Sequence, residues 1–297
     1  MTNGQHGHAS RHWLAVLIWA LCTFGLWVTP AQAGIANTKH NLSTGGPGPN
    51  RVTGTLAAGT GTDEICVFCH TPHAADTTAP APLWNKSLGT LGGYTTYATL
   101  NSSTIDGTIL SVGSISLACL SCHDGTQAMD NIINAPGPGG YSLTGGGALG
   151  LGYTWNTSSG RVDADGKLLN SATTLSMLGQ DLSNDHPIGI HYCGGGPTST
   201  APAGACRDTD FVAPTSATIN ANLVWWVDTA PGSLGVREKS DMILYTRNFG
   251  GTIGNAPSVE CGSCHDPHVE TGTGVAGQTF LRLNNAGSAV CLACHVK

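Results

Sequence analysis

The sequence predicts a chain that is mostly coil, with short helices at four copies of one pentapeptide and a few short strands. Three observations carry that expectation. The pattern C-x-x-C-H occurs at Cys66-Val67-Phe68-Cys69-His70, Cys119-Leu120-Ser121-Cys122-His123, Cys261-Gly262-Ser263-Cys264-His265 and Cys291-Leu292-Ala293-Cys294-His295. Glycine supplies 42 of 297 residues and only 10% of the chain is charged, a composition that buries little aliphatic side chain per residue. Apolar periodicity is confined to short runs.

The pentapeptide has a chemical reading. Two thiols three positions apart lie on one side of a helical turn, where both reach the vinyl groups of one porphyrin. The histidine that follows directly is within reach of its iron. This is the attachment pattern of c-type haem. Paired C-x-x-C motifs also build zinc ribbons, but zinc has no use for a histidine after every second cysteine, and all four motifs carry one. The expectation is four covalently bound haem c groups. They attach through Cys66, Cys69, Cys119, Cys122, Cys261, Cys264, Cys291 and Cys294, with His70, His123, His265 and His295 as proximal ligands. The porphyrins themselves then form the core, and their removal unfolds the chain.

Residues 1–33 read as a secretory signal peptide. Arg11 precedes an apolar run from Trp13 to Val28, and Ala31-Gln32-Ala33 supplies a cleavage site. Cys22 follows Leu21 rather than the small residue that a lipoprotein anchor prefers. From Gly34 onward the chain has eleven basic and eighteen acidic residues, a net charge of −7. That balance favours neither nucleic acid nor an anionic membrane surface, and no later stretch is apolar enough for a membrane span. The expected location is secreted, extracellular or at the cell surface, with the periplasm as the alternative.

The organisation expected is a first dihaem unit over 34–135, a glycine-rich region of loops and strands over 136–255, and a second dihaem unit over 256–297. Helix caps are expected at Thr62 or Asp63, at Ser114 or Ser116, at Ser258 and at Ser288. The middle region holds Pro136-Gly137-Pro138-Gly139-Gly140, Gly145-Gly146-Gly147 and Gly194-Gly195-Gly196-Pro197, all loop chemistry. Within it, Leu223-Val224-Trp225-Trp226-Val227 and Met242-Ile243-Leu244-Tyr245 read as strands. Asp163-Ala164-Asp165-Gly166 resembles the start of a calcium loop but has Thr174 where the glutamate belongs, so it reads as a hairpin turn. Cys193 and Cys206 are the remaining cysteines, and in an oxidising compartment they are expected to form a disulfide.

The histidines show a repeat. The first and third motifs continue to C-x-x-C-H-x-P-H, adding His73 and His268; the second and fourth do not. The order extended, plain, extended, plain describes a two-haem unit used twice. Four vacant distal positions face five further histidines: His40, His73, His186, His191 and His268. His40 precedes the first unit as His186 precedes the second, which leaves His191 over. His73 and His268 lie too close to their own proximal ligands to reach around, so each is expected on a neighbouring haem. Met129, Met177 and Met242 are the fallback ligands. His40 either joins a neighbouring protomer or folds back onto its own chain. Irons filled on both faces leave no open site for substrate, which points to electron transfer rather than an enzyme.

Cys66 to His73 (CVFCHTPH), Ala81-Pro82-Leu83-Trp84-Asn85, Cys119 to Gly125 (CLSCHDG), His186-Pro187-Ile188-Gly189 and the C-terminal CLACHVK resemble secreted multihaem cytochromes of metal-reducing bacteria. The haem count and histidine order are similar to the OmcE-like cytochromes, which polymerise into extracellular nanowires. The resemblance implies a mostly coil multihaem cytochrome c with bis-histidine haems, in which a ligand can come from the adjacent protomer. It implies a homo-polymer that exchanges electrons with redox partner proteins or extracellular acceptors. The competing expectations are a soluble periplasmic shuttle and a multihaem reductase with one open iron.

Overall fold

Coil joins a few short elements in the computed structural model, which describes residues 34–296 apart from 79, 89–90, 138, 143–149, 172–173, 230–232 and 270–278. The expected signal peptide over 1–33, the triple glycine at 145–147 and Pro138 lie outside the described residues. The helices are Ser114–His123 (α1), Cys261–Cys264 (α2) and Ala289–Cys294 (α3). The first motif is instead a single 3-10 turn, Cys66–Phe68. Among the described residues no helix is long and apolar enough to cross a membrane.

The strands are Ile190–His191 (β1), Thr215–Ile219 (β2), Asn222–Val227 (β3), Met242–Asn248 (β4) and Asn255–Val259 (β5), in one antiparallel sheet of order β1-β5-β4-β3-β2. The aromatic and β-branched run of β3 suits a half-buried pleated surface. Asn220 and Ala221, both at positive φ, form the two-residue turn that joins β2 to β3. The expected strands at 223–227 and 242–245 are present and slightly longer, and three strands the sequence did not signal complete the sheet.

Two apolar clusters flank the motifs. The first gathers Leu42, Val52, Val67, Phe68, Met129, Ile132, Tyr153, Trp155, Val162 and Leu168, with Cys69 and Cys122 packed against it. The stretch around 151–168 reaches this cluster because Thr53 N donates to Thr154 O at 2.7 Å and Asn156 N to Arg51 O at 2.9 Å. The second gathers Tyr192, Cys193, Trp225, Val227, Met242 and Leu244, with Cys264 and Cys294 against it. Each cluster therefore hosts one cysteine from each motif of its pair. Met129 and Met242 are core residues of these clusters, and Met177 packs against the first.

The turn at Asp163–Gly166 is a hairpin: Val162 bridges Leu168 and Lys167 N donates to Asp163 Oδ1 at 2.8 Å. Gly166, at φ +83, sits under Trp155, where a Cβ would lie 2.3 Å from Nε1. Cys193 and Cys206 are joined in a disulfide with Cα atoms 5.4 Å apart. Replacing both with serine is expected to cost about 3 kcal/mol, from the closure entropy of a short loop, measured by denaturant unfolding.

Candidate functional site

The four motifs are built to one backbone plan, with one exception. After the first motif, Thr71 N donates to Leu83 O at 2.8 Å and Asn85 N to Cys69 O at 2.9 Å. After the third, Asp266 N donates to Phe280 O and Arg282 N to Cys264 O, both at 2.8 Å. After the fourth, Val296 N donates to Asp210 O and Val212 N to Cys294 O, both at 2.9 Å. An extended segment thus clasps the motif on either side of its histidine. Leu83 and Phe280, which occupy equivalent places beside the two extended motifs, both sit at positive φ, +53° and +56°. The second motif differs because α1 carries it as two and a half turns of regular helix, and the next residue, Asp124, still donates to Leu120 O.

The clasping segments select the ring nitrogen that each histidine presents. His70 donates Nδ1–H to Pro82 O at 2.6 Å, His123 to Ser176 O at 2.7 Å and His265 to Thr279 O at 3.0 Å. His186 does the same to Pro187 O at 3.0 Å, and His268 Nδ1 faces Asp266 Oδ1 at 3.1 Å. A carbonyl oxygen only accepts, so the proton lies on Nδ1 and the Nε2 lone pair is left for a metal. His191 is the reverse. It is buried, stacks on Phe249 with ring centroids 4.7 Å apart, and donates from Nε2 to Pro197 O at 3.2 Å.

Two pairs of histidines face each other. His40 and His123 have ring centroids 6.0 Å apart, as do His70 and His268. Each pair joins a motif histidine to one from far away in sequence. His268 crosses from the second motif pair to the first. His40 is held against its own chain by stacking on Phe280 at 4.1 Å. Packing this ring against Phe280 and His123 ties down the N-terminal segment. Burial, and after it the nearby His123, push the pKa of His40 down to about 3, against an opposing pull from the Pro267 carbonyl. Burial is also the leading cause of lowered values at His123, His186 and His265, and His295 adds to the lowering at His186. These imidazoles are held neutral, the form that ligates. His73 is exposed, and among the described residues neither it nor His265 has a second imidazole at 6 Å.

Cysteines of successive motifs influence one another. Burial, with Cys122 next, pushes the Cys69 thiol up to about 12. A hydrogen bond between Cys119 and Cys261 raises the first and lowers the second. Burial and then Cys264 raise Cys294 to about 12. Among the described residues no three His, Cys, Asp or Glu side chains gather as a metal cage, so the cysteine pairs are spread along the chain rather than collected into a four-thiol site.

Sequence reasoning missed the joint between the second and third motifs. Glu260, 1% exposed, accepts from Ser116 Oγ at 2.5 Å, Arg247 at 2.7 Å and Ser258 Oγ at 3.0 Å. Ser116 lies on α1 and also accepts from Cys261 N at 3.1 Å. Arg247 reaches on to Ser111 O at 3.0 Å. Glu260 and Ser263 form a reciprocal capping box on α2. The cap expected at Ser258 is thus Glu260, two residues later, because its longer side chain serves the helix and the joint together. Thr62 caps no helix; its hydroxyl accepts from Glu64 N. The turn before the first motif begins at Ile65, α1 at Gly113, and Ser288 stands before α3 without a side-chain cap bond.

Residues 255–297 match the family model described as Doubled CXXCH motif, a stretch that holds β5, α2, α3 and the third and fourth motifs. No match was found among curated proteins or among solved structures. The matched pair carries the attachment pattern of covalently bound c-type haem and points to the class of multihaem c-type cytochromes, whose chemistry is electron transfer. The likeness to nanowire cytochromes rests on the sequence resemblance alone.

Arg247→Met leaves Glu260 buried without its countercharge. The expected cost is about 3–5 kcal/mol of stability, read by denaturant unfolding, with partial recovery in the Arg247→Met/Glu260→Gln double variant.

Proposed function

We propose that this chain transfers electrons through four haem c groups, each ligated by histidine on both faces, and that copies polymerise into an extracellular filament. One observation carries the ligation: twice, a motif histidine faces a distant histidine at 6.0 Å. Two imidazoles that share one metal at about 2 Å each have ring centres roughly 6 Å apart, the separation that both pairs have. When bound, haem iron takes up and returns one electron without making or breaking bonds to substrate. Cys66 and Cys69, Cys119 and Cys122, Cys261 and Cys264, and Cys291 and Cys294 would hold the four porphyrins. His70 with His268, and His123 with His40, would ligate two of the irons, and His186 with His295 a third. The carbonyls of Pro82, Ser176 and Thr279 orient the motif rings. The joint at Glu260 would keep the haems of the second and third motifs beside each other.

The polymer is supported by the histidines left over. Among the described residues no imidazole faces the motif histidine His265 at 6 Å, while His73 is exposed. A bond from His73 of one copy to the iron at His265 of the next would link protomers head to tail. The same feature favours a second reading, a multihaem reductase whose iron at His265 keeps its sixth position open.

The holoprotein is expected to carry four haems by intact mass and to give a wholly low-spin absorption and EPR spectrum. His40→Ala and His268→Ala should each turn one haem high-spin, while His191→Ala leaves the spectrum unchanged. Low-spin spectra in both of the first two variants would remove the proposed ligation. Electron microscopy of secreted material should show filaments that His73→Ala abolishes. Monomers that bind carbon monoxide at one iron would establish the reductase, and carbon monoxide-inert monomers a soluble shuttle.

A further inference from the structure

Lys86 is 0% exposed, and nothing in the ligation scheme uses it. Its Nζ donates to three backbone carbonyls, Ala128 O at 2.9 Å, Met129 O at 3.2 Å and Asn131 O at 3.2 Å. An ammonium has three N–H donors and a neutral amine two, so the three-carbonyl socket matches the charged form. Among the described residues Lys86 makes no ion pair. The nearby carboxylate of Asp130 is turned away: its Oδ2 accepts from Leu151 N at 3.2 Å and Tyr153 N at 2.9 Å, and its Oδ1 is buried without a partner.

The socket is fastened to the first motif. The residue before it, Asn85, donates its backbone N–H to Cys69 O at 2.9 Å and its side-chain amide to Val67 O at 2.6 Å. On the far side, Met129 and Ile132 belong to the apolar cluster against which Cys69 and Cys122 pack. Beside the third motif, Arg247 pairs with Glu260 at 2.7 Å, and Arg282 donates to Gly262 O at 3.0 Å with Asp266 at 3.5 Å. The buried cations there each face a carboxylate, whereas Lys86 beside the first motif is held by carbonyls alone.

We propose that Lys86 is a fixed electrostatic bias that raises the reduction potential of the haem held by Cys66 and Cys69. This rests on the electron-transfer reading above. One electron from a low-potential donor converts ferric to ferrous iron, and the site becomes one unit more negative. A cation locked in a low-dielectric interior stabilises that added charge far more than one in water.

The test is a spectroelectrochemical titration of the holoprotein and of its Lys86→Gln and Lys86→Met variants, with haem loading at Cys66 and Cys69 verified by peptide mass. The expected result is that one component moves to lower potential while the spectra stay low-spin and the other components hold. The shift should be about tenfold in its reduction equilibrium constant, 59 mV for one electron. Unchanged potentials in fully loaded, low-spin variants would overturn the proposal, as would an equal shift of every component. If the lysine variants do not mature, Asp130→Asn decides at pH 8: removing the opposite charge should raise the same component, and no shift overturns the proposal. Wild-type protein lacking haem on the Cys66–Cys69 peptide would instead overturn the electron-transfer reading on which it rests.

Discussion

A histidine nitrogen that donates to a carbonyl cannot also bind a metal, so the backbone around each imidazole decides what that imidazole can do. Five rings commit Nδ1 to an acceptor, four of them to carbonyls, and turn Nε2 free. His191 commits Nε2 instead, which leaves only Nδ1. Much of the surrounding coil exists to deliver these acceptors. The extended segments around Leu83 and Phe280 clasp the first and third motifs through paired backbone bonds, and each brings one carbonyl over the motif histidine. A mostly coil chain suits this task, since an isolated bridge of two or three residues places a carbonyl without committing the segment to a sheet.

The joint between the motif pairs is solved by charge. Ser116 on α1 and the first backbone amide of α2 meet at one hydroxyl, and Glu260 collects the remaining donors while Arg247 balances it. Burial favours the neutral carboxyl at Glu260, and bonds from Ser116 and Arg247 pull it back. Each partner is therefore tolerated inside only because the others are present. Lys86 solves its burial differently, with three carbonyl dipoles in place of a countercharge.

The repeat was legible because it is covalent and local. C-x-x-C-H spacing, the x-P-H extension and the aromatic run of β3 each act over a few residues, so reading along the chain finds them. β2 and β5 were invisible for a physical reason. Thr215–Ile219 is an edge strand of mixed polarity, and Asn255–Val259 contains Pro257; both are strands because β3 and β4 offer them a ladder. Glu260 gave a weak signal because glutamate is not among the favoured N-cap residues, although an acidic residue directly before a motif cysteine was a usable one. Lys86 gave no signal at all, because a lysine among polar residues normally reads as solvent-facing.

By itself the sequence determined where the four C-x-x-C-H patterns lie and which histidines are available, because motif spacing and ligand type are properties of adjacent atoms. It also determined that the chain would be irregular, since glycine at this frequency denies long helices their propensity. Only the tertiary structure decided which histidine faces which. His268 meets His70 and His40 meets His123 across separations that no local pattern encodes, and the tautomer of each ring depends on a carbonyl contributed by a segment elsewhere in the chain. Those contacts form only when the apolar clusters bring distant coil together, so ligand pairing belongs to the packing and not to the motif.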